Sequence, residues 1–147
     1  MNIIKNYQEI INSKIEKIRI QGTPNELYDP INYILNLKSK RVRPILSLLS
    51  YSLFKEDIDK IIEPSIALEF FHNFTLIHDD IMDNADIRRG EDTIHKKWNN
   101  NIGILSGDLL MIFAYKMLEN VEEKTFKKTF QRYNNIAVKV CEGQQYD

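Results

Sequence analysis

The chain has 147 residues, enough for a domain with its own hydrophobic core, and 43% apolar against 28% charged residues is an ordinary globular profile. A formal net charge of -1 excludes a general nucleic-acid binder, so any attraction to phosphate must be local. The single cysteine, Cys141, excludes an intramolecular disulfide and points to a reducing, cytoplasmic setting.

The N-terminal stretch mixes apolar and charged residues and lacks the apolar core of a signal peptide. Ile4, Tyr7, Ile11, Ile15 and Ile18 recur at helical spacing and predict an amphipathic first helix. "QGTPNE" interrupts it, and Leu27, Ile31, Ile34 and Leu35 mark a second helix. "KSKRVRP" reads as a basic turn, with Pro44 in the first turn of a third helix. A long helical segment runs from about Lys60 to Ala85, with Pro64 near its start, where proline is tolerated. "IRRGED" reads as a loop stopped by Gly90, and "TIHKKW" as a short helix. "NNNIG" reads as a further break. "ILSGDLLMIFAYKMLEN" predicts another apolar helix, and a last one begins near Glu122. Cys141 falls in that last helix and reads as a small buried residue. No strand alternation and no run long enough to span a bilayer is expected, so the class is all-α.

The chemistry concentrates in "IHDDIMDNADIRRG". Asp79 and Asp83, four apart on a helix, share a face, and Asp80 points about a quarter-turn away. Paired carboxylates repel, and magnesium removes the conflict because it takes one or two carboxylates and leaves its other positions to waters and phosphates. A solvated acidic helix end is the plain alternative. Three features favour the metal reading. "ALEFFHNFTLI" makes this the end of a buried helix, Arg88 and Arg89 follow with phosphate-shaped guanidiniums, and Lys40, Arg41 and Arg43 precede a helix start. His72 lies two turns before Asp79 on the same stripe. Acids for metal beside two basic clusters imply a substrate with several phosphates.

These residues resemble the trans-prenyltransferases, the polyprenyl diphosphate synthases, from about Tyr28 onward. "DDIMDNADIRRG" is similar to that family's first aspartate-rich motif DDxxD with its arginine pair, "KSKRVRP" to GGKRxRP, "ILSGDLL" to a GD-containing helix, and "EGQQYD" to GQxxD. The resemblance implies an isoprenoid synthase helical bundle that condenses isopentenyl diphosphate with an allylic diphosphate. It implies that Asp79 and Asp83 hold Mg2+ on the allylic diphosphate, helped by Asp80, and that Arg88 contacts that diphosphate. Lys40, Arg43, His72 and Arg89 are implied contacts of isopentenyl diphosphate. Phe74 and Thr75 are implied to set product length near twenty carbons, although ideal helix geometry puts Phe71 and Leu68 closer to the Asp79 stripe. A homodimer is implied by the resemblance alone.

Two departures stand out. Lys38 and Ser39 occupy the place of the family's paired glycines. The family's chains are about twice as long, so residues 1–147 are expected to be the N-terminal half, without the second aspartate-rich motif. His78 is expected to be structural, Asp108 a buried and bonded polar residue or a helper behind the ligands, and Gln144 and Asp147 equally cavity-facing or surface residues. Two competing readings are a non-catalytic or split subunit of such an enzyme and an HD-type metal phosphohydrolase built on His72, His78 and His95.

Overall fold

The computed structural model describes residues 2–146, so the expectation for Asp147 lies outside the described residues. Among the described residues, seven helices and one short hairpin follow in chain order: α1 Ile3–Lys17, α2 Asn25–Asn36, α3 Val42–Ser52, α4 Asp59–Met82, β1 Ile87–Arg88, β2 Glu91–Asp92, α5 Ile94–Lys97, α6 Asn100–Leu118 and α7 Glu123–Tyr146.

The helical stripes bury as their spacing demands. Tyr7, Ile11 and Ile15 of α1 and Ile31, Ile34 and Leu35 of α2 are in the core, while Ile4 stays exposed near the chain start. The central helix α4 buries residues all round, including Phe70, Phe71 and Ile77. That pattern fits a helix wrapped by neighbours instead of one with a solvent face. It packs chiefly against α6, then α3. The close approach of α4 and α6 depends on small residues. A Cβ added to Gly107 would sit 2.5 Å from Nε2 of His78, so a side chain there would push the two helices apart. Ser106 also donates to the Leu27 carbonyl at 3.0 Å, fastening α6 to α2.

Four expectations need correction. The expected break at "NNNIG" shrinks to Asn99, whose side chain accepts from the Ile102 amide at 2.9 Å and caps α6, so Asn100 to Gly103 are helical. "IRRGED" is a tight antiparallel hairpin, with Ile87 opposite Asp92 and Arg88 opposite Glu91, instead of an irregular loop. α6 does reach the length and apolarity of a membrane span, at a mean hydropathy of 1.3. Gly103, Ser106, Leu110 and Ala114 of it are buried within the helical bundle, while Ile104, Leu105 and Ile112 are exposed. Cys141 is exposed, because α7 lies at the edge of the bundle, with Tyr133 its buried residue, packed edge-on against Phe71 and Tyr115.

Candidate functional site

The acids occupy the C-terminal end of α4. Asp79 is in its last turn, and Asp83 is the C-cap, its amide donating to the Asp79 carbonyl at 2.8 Å. Unsatisfied carbonyls make a helix C-terminus partly negative, so carboxylates there are opposed by the backbone as well as by each other. Asp79 registers this: burial first, and Asp83 second, push its carboxyl above the ordinary carboxylate range. Asp83 is exposed at the mouth. Asp80 is 1% exposed and accepts from Arg88 Nε at 2.9 Å and from Arg88 Nη2, so the quarter-turn offset puts it under the hairpin. Its Oδ2 is buried without a described hydrogen-bond partner. Among the described residues no three His, Cys, Asp or Glu side chains converge as a metal cage. The HD-type phosphohydrolase reading needs several histidines and acids in one cluster, which these residues do not form here. What remains is a carboxylate pair, which suits a hard cation that keeps waters and phosphate oxygens as its other ligands.

The hairpin aims the arginines. Its two-residue turn is Arg89–Gly90, with φ 57 and φ 85. Positive φ at both central residues matches the twist of a tight hairpin, and glycine meets it without strain whereas arginine does not. Arg88 is thereby fastened to Asp80, and this ion pair raises the Arg88 pKa. Arg89 is half-buried, and its Nη1 has no described partner. Burial lowers its pKa, Glu69 opposes that shift, and Arg41 and Arg88 add to it. Thr93 closes the segment behind, its hydroxyl donating to the Ala85 carbonyl at 2.8 Å. Asp86 pairs with Lys96 at 2.7 Å on the surface, where such pairs contribute little.

His72 is where the clusters meet. Burial first, then the positive charge of Arg43, lower its pKa to about 4; Glu69 opposes them, and Arg89 and Arg88 add smaller lowering effects. Three arginines from two separate segments are therefore close enough for their charges to act on one imidazole of α4. Lys40 and Arg43 are exposed, and among the described residues neither forms an ion pair.

On the other side of Asp79 a mostly apolar groove of about 180 Å³ runs between α4 and α7, lined by Phe74, Thr75, His78, Asp79, Met82, Val140, Cys141 and Gln144. The helical wheel set Phe74 apart from Asp79, but the groove spans both faces because α7 lies across them. Phe71, the wheel's better candidate, is buried against Tyr133 with ring centroids 5.6 Å apart. Gln144 does face this groove. His78 Nε2 lies 3.2 Å from the Ile104 carbonyl, and its ring packs on Phe74. Asp108 is not buried. Its side chain is 53% exposed and 3.7 Å from His78, because that turn of α6 rolls its acid outward once Gly107 faces α4.

Sequence reasoning missed one buried network. Arg41 is 4% exposed and bonds Glu69 Oε1 at 2.8 Å, the Leu35 carbonyl at 2.6 Å and Asn12 Oδ1 at 3.1 Å. Glu69 was the available signal, a lone acid inside the apolar run "ALEFF".

The sequence profile of the polyprenyl synthetase family matches residues 24–147. The chain belongs to the polyprenyl synthetase family. Among relatives, it is 37% identical to a geranylgeranyl pyrophosphate synthase of Geoglobus acetivorans, over 99% of this chain and 46% of that one. It is 35% identical to a short chain isoprenyl diphosphate synthase of Methanocaldococcus jannaschii, over 99% of this chain and 43% of that one. Among solved structures, a geranylgeranyl pyrophosphate synthase superposes with a TM-score of 0.95 at 43% identity, covering 100% of this chain and 45% of that one. A geranylgeranyl pyrophosphate synthetase from Pyrococcus horikoshii gives 0.91 at 34% identity, covering 98% and 45%. The chain thus spans less than half the length of these polyprenyl synthetase relatives, and its fold is that of the corresponding part of the isoprenoid synthase bundle.

Proposed function

We propose that this polyprenyl synthetase chain carries the first diphosphate-binding face of a trans-prenyltransferase that joins isopentenyl diphosphate to an allylic diphosphate. The observation that carries the reading is that Arg43, Arg88 and Arg89 lie close enough to His72 for their charges to act on it, beside an acidic helix end where Asp79 and Asp83 repel each other. In this reaction the allylic C–O bond breaks and diphosphate leaves. The isopentenyl double bond attacks the allylic cation, and a proton is lost.

The residues divide that work. Asp79 and Asp83 would hold Mg2+, with buried Asp80 behind them. Bound there, the ion supplies positive charge for the departing diphosphate. Arg88 is held by Asp80 through Nε and Nη2, which leaves Nη1 for the allylic diphosphate. Lys40, Arg43, His72 and Arg89 receive the isopentenyl diphosphate without metal. His72 is neutral at pH 7 and donates from one ring nitrogen. The groove under Asp79 shields the allylic chain from water, and Phe74 and Thr75 limit its length near the twenty carbons of a geranylgeranyl product. A second copy of the chain covers Ile104, Leu105 and Ile112, which α6 leaves exposed, and the setting is cytoplasmic, where exposed Cys141 stays reduced.

The test is magnesium-dependent release of diphosphate from allylic plus isopentenyl diphosphate. It is run with the chain alone and with the C-terminal portion of the Geoglobus acetivorans relative added. Product in the second case, abolished by Asp79→Asn, supports the reading; no product from any allylic primer defeats it. In the same assay Phe74→Ala should lengthen the product, and an unchanged length removes the groove's role.

A further inference from the structure

The turn before α3 carries Lys40 and contains no glycine, yet Arg41 adopts a left-handed backbone with φ 50. Side-chain-bearing residues hold such a conformation only where their surroundings impose it. Here the imposing groups come from three helices. Arg41 spends its guanidinium on Glu69 of α4, the Leu35 carbonyl of α2 and Asn12 of α1. The Ser39 hydroxyl donates to the same Glu69 oxygen at 3.3 Å and accepts the Arg41 amide at 3.3 Å. Gln8 of α1 donates its amide to the carbonyls of Ser39 at 3.2 Å and Lys40 at 3.4 Å.

The Ser39 and Lys40 carbonyls and the Arg41 amide are therefore held, while the Lys40 side chain stays exposed. The Arg41 carbonyl accepts the Ile45 amide at 3.1 Å, so the same residue starts the helix that carries Arg43. Glu69 lies one turn before His72 on α4, and Asn73 donates to its carbonyl at 2.7 Å and its Oε1 at 3.3 Å. The network thus spans the distance between the basic turn and the helix that bears His72. Gln8 precedes residues 24–147, the span matched by the family profile.

We propose that Gln8, Arg41 and Glu69 are positioning residues that lock the 39–41 turn against α4, so that Lys40 and Arg43 stand at a set distance from His72 to receive a metal-free diphosphate. The proposal rests on the function proposed above. A purely structural staple would show itself in stability alone. Gln8 separates the two roles because it is partly exposed and bonds only to the turn.

Isopentenyl diphosphate without magnesium, and dimethylallyl diphosphate with magnesium, are titrated calorimetrically into the 147-residue chain, with the thermal midpoint measured in parallel. Gln8→Met keeps the side chain's length and removes its donor. It should weaken isopentenyl diphosphate binding about five-fold, roughly one net hydrogen bond, with the midpoint and the magnesium-dependent binding unchanged. Glu69→Gln should lower both midpoint and affinity. Unchanged isopentenyl diphosphate affinity in Gln8→Met, or a joint fall of midpoint and both affinities, overturns the positioning role while wild-type binding still supports the function. A wild-type chain that binds no isopentenyl diphosphate overturns the function and the positioning role together.

Discussion

The two basic clusters solve one problem in opposite ways. Each places a residue in the left-handed region, Arg41 at φ 50 and Arg89 at φ 57. Each also ties one arginine to a buried acid, Arg41 to Glu69 and Arg88 to Asp80. In the turn before α3 it is the strained arginine itself that is sealed in, its charge balanced. In the hairpin the strained arginine is the one left over, half-buried and with Nη1 unmatched by a described partner, while its neighbour makes the ion pair. A sealed pair cannot lose one member without stranding a buried charge, and an unmatched buried guanidinium keeps its bonding capacity for an anion. Adjacent arginines in a sequence therefore need not share a job.

The contrast is sharpest in stability. Arg41→Met strands Glu69 inside the bundle and should cost about 3–5 kcal/mol, read as a lower urea midpoint. Arg88→Met strands Asp80 at the hairpin edge, where the arginine is 31% exposed, and should cost about 2 kcal/mol. If Arg88→Met is the more damaging of the two, the division into sealed and working clusters is wrong.

Asp79→Asn should act in the other direction. The folded carboxyl titrates above its unfolded value, so the stability it contributes is present at low pH and lost as pH rises through the folded value. At pH 7 its charge opposes folding. The asparagine variant should therefore melt higher in the absence of metal, and magnesium should no longer raise its midpoint. A lower melting point would show that Asp79 already has a stabilising partner.

The smallest effect belongs to His72. Its pKa of about 4 lies below the ordinary 6.5, so its stabilising contribution is complete above about pH 6.5 and is lost as pH falls through 4. His72→Gln should flatten the stability profile in that window. A bound diphosphate should raise the imidazole's pKa, so binding near pH 5 should take up protons, measurable by calorimetry in buffers of different ionisation enthalpy. Proton uptake identical in His72→Gln would assign the titration elsewhere.

Much of the fold was legible along the chain because its signals are local. The stripe through Tyr7, Ile11 and Ile15 needs only helical spacing and a core to face. The start of α6 was misjudged because three asparagines in a row can each cap a helix, and only packing selects Asn99. The hairpin was hidden because Arg89–Gly90 carries just half of the usual turn signature, its first position normally belonging to Asn, Asp or Gly. Asp108 and Cys141 were placed inside because their neighbours are apolar, but Asp108 is exposed beside His78, and Cys141 is exposed where it lines the groove between α4 and α7.

The sequence by itself determined the helical class, the acidic end of α4 and the candidate diphosphate ligands, because residue type and short spacing carry that information. Tertiary structure alone decided which charges are available to a ligand. Arg41 and Glu69 are 28 residues apart, as are Arg43 and His72 within one residue, so neither pairing is written in local spacing. Burial then separates them: a charge sealed with its partner is withdrawn from chemistry, and one facing other cations across a half-open site remains ready for an anion.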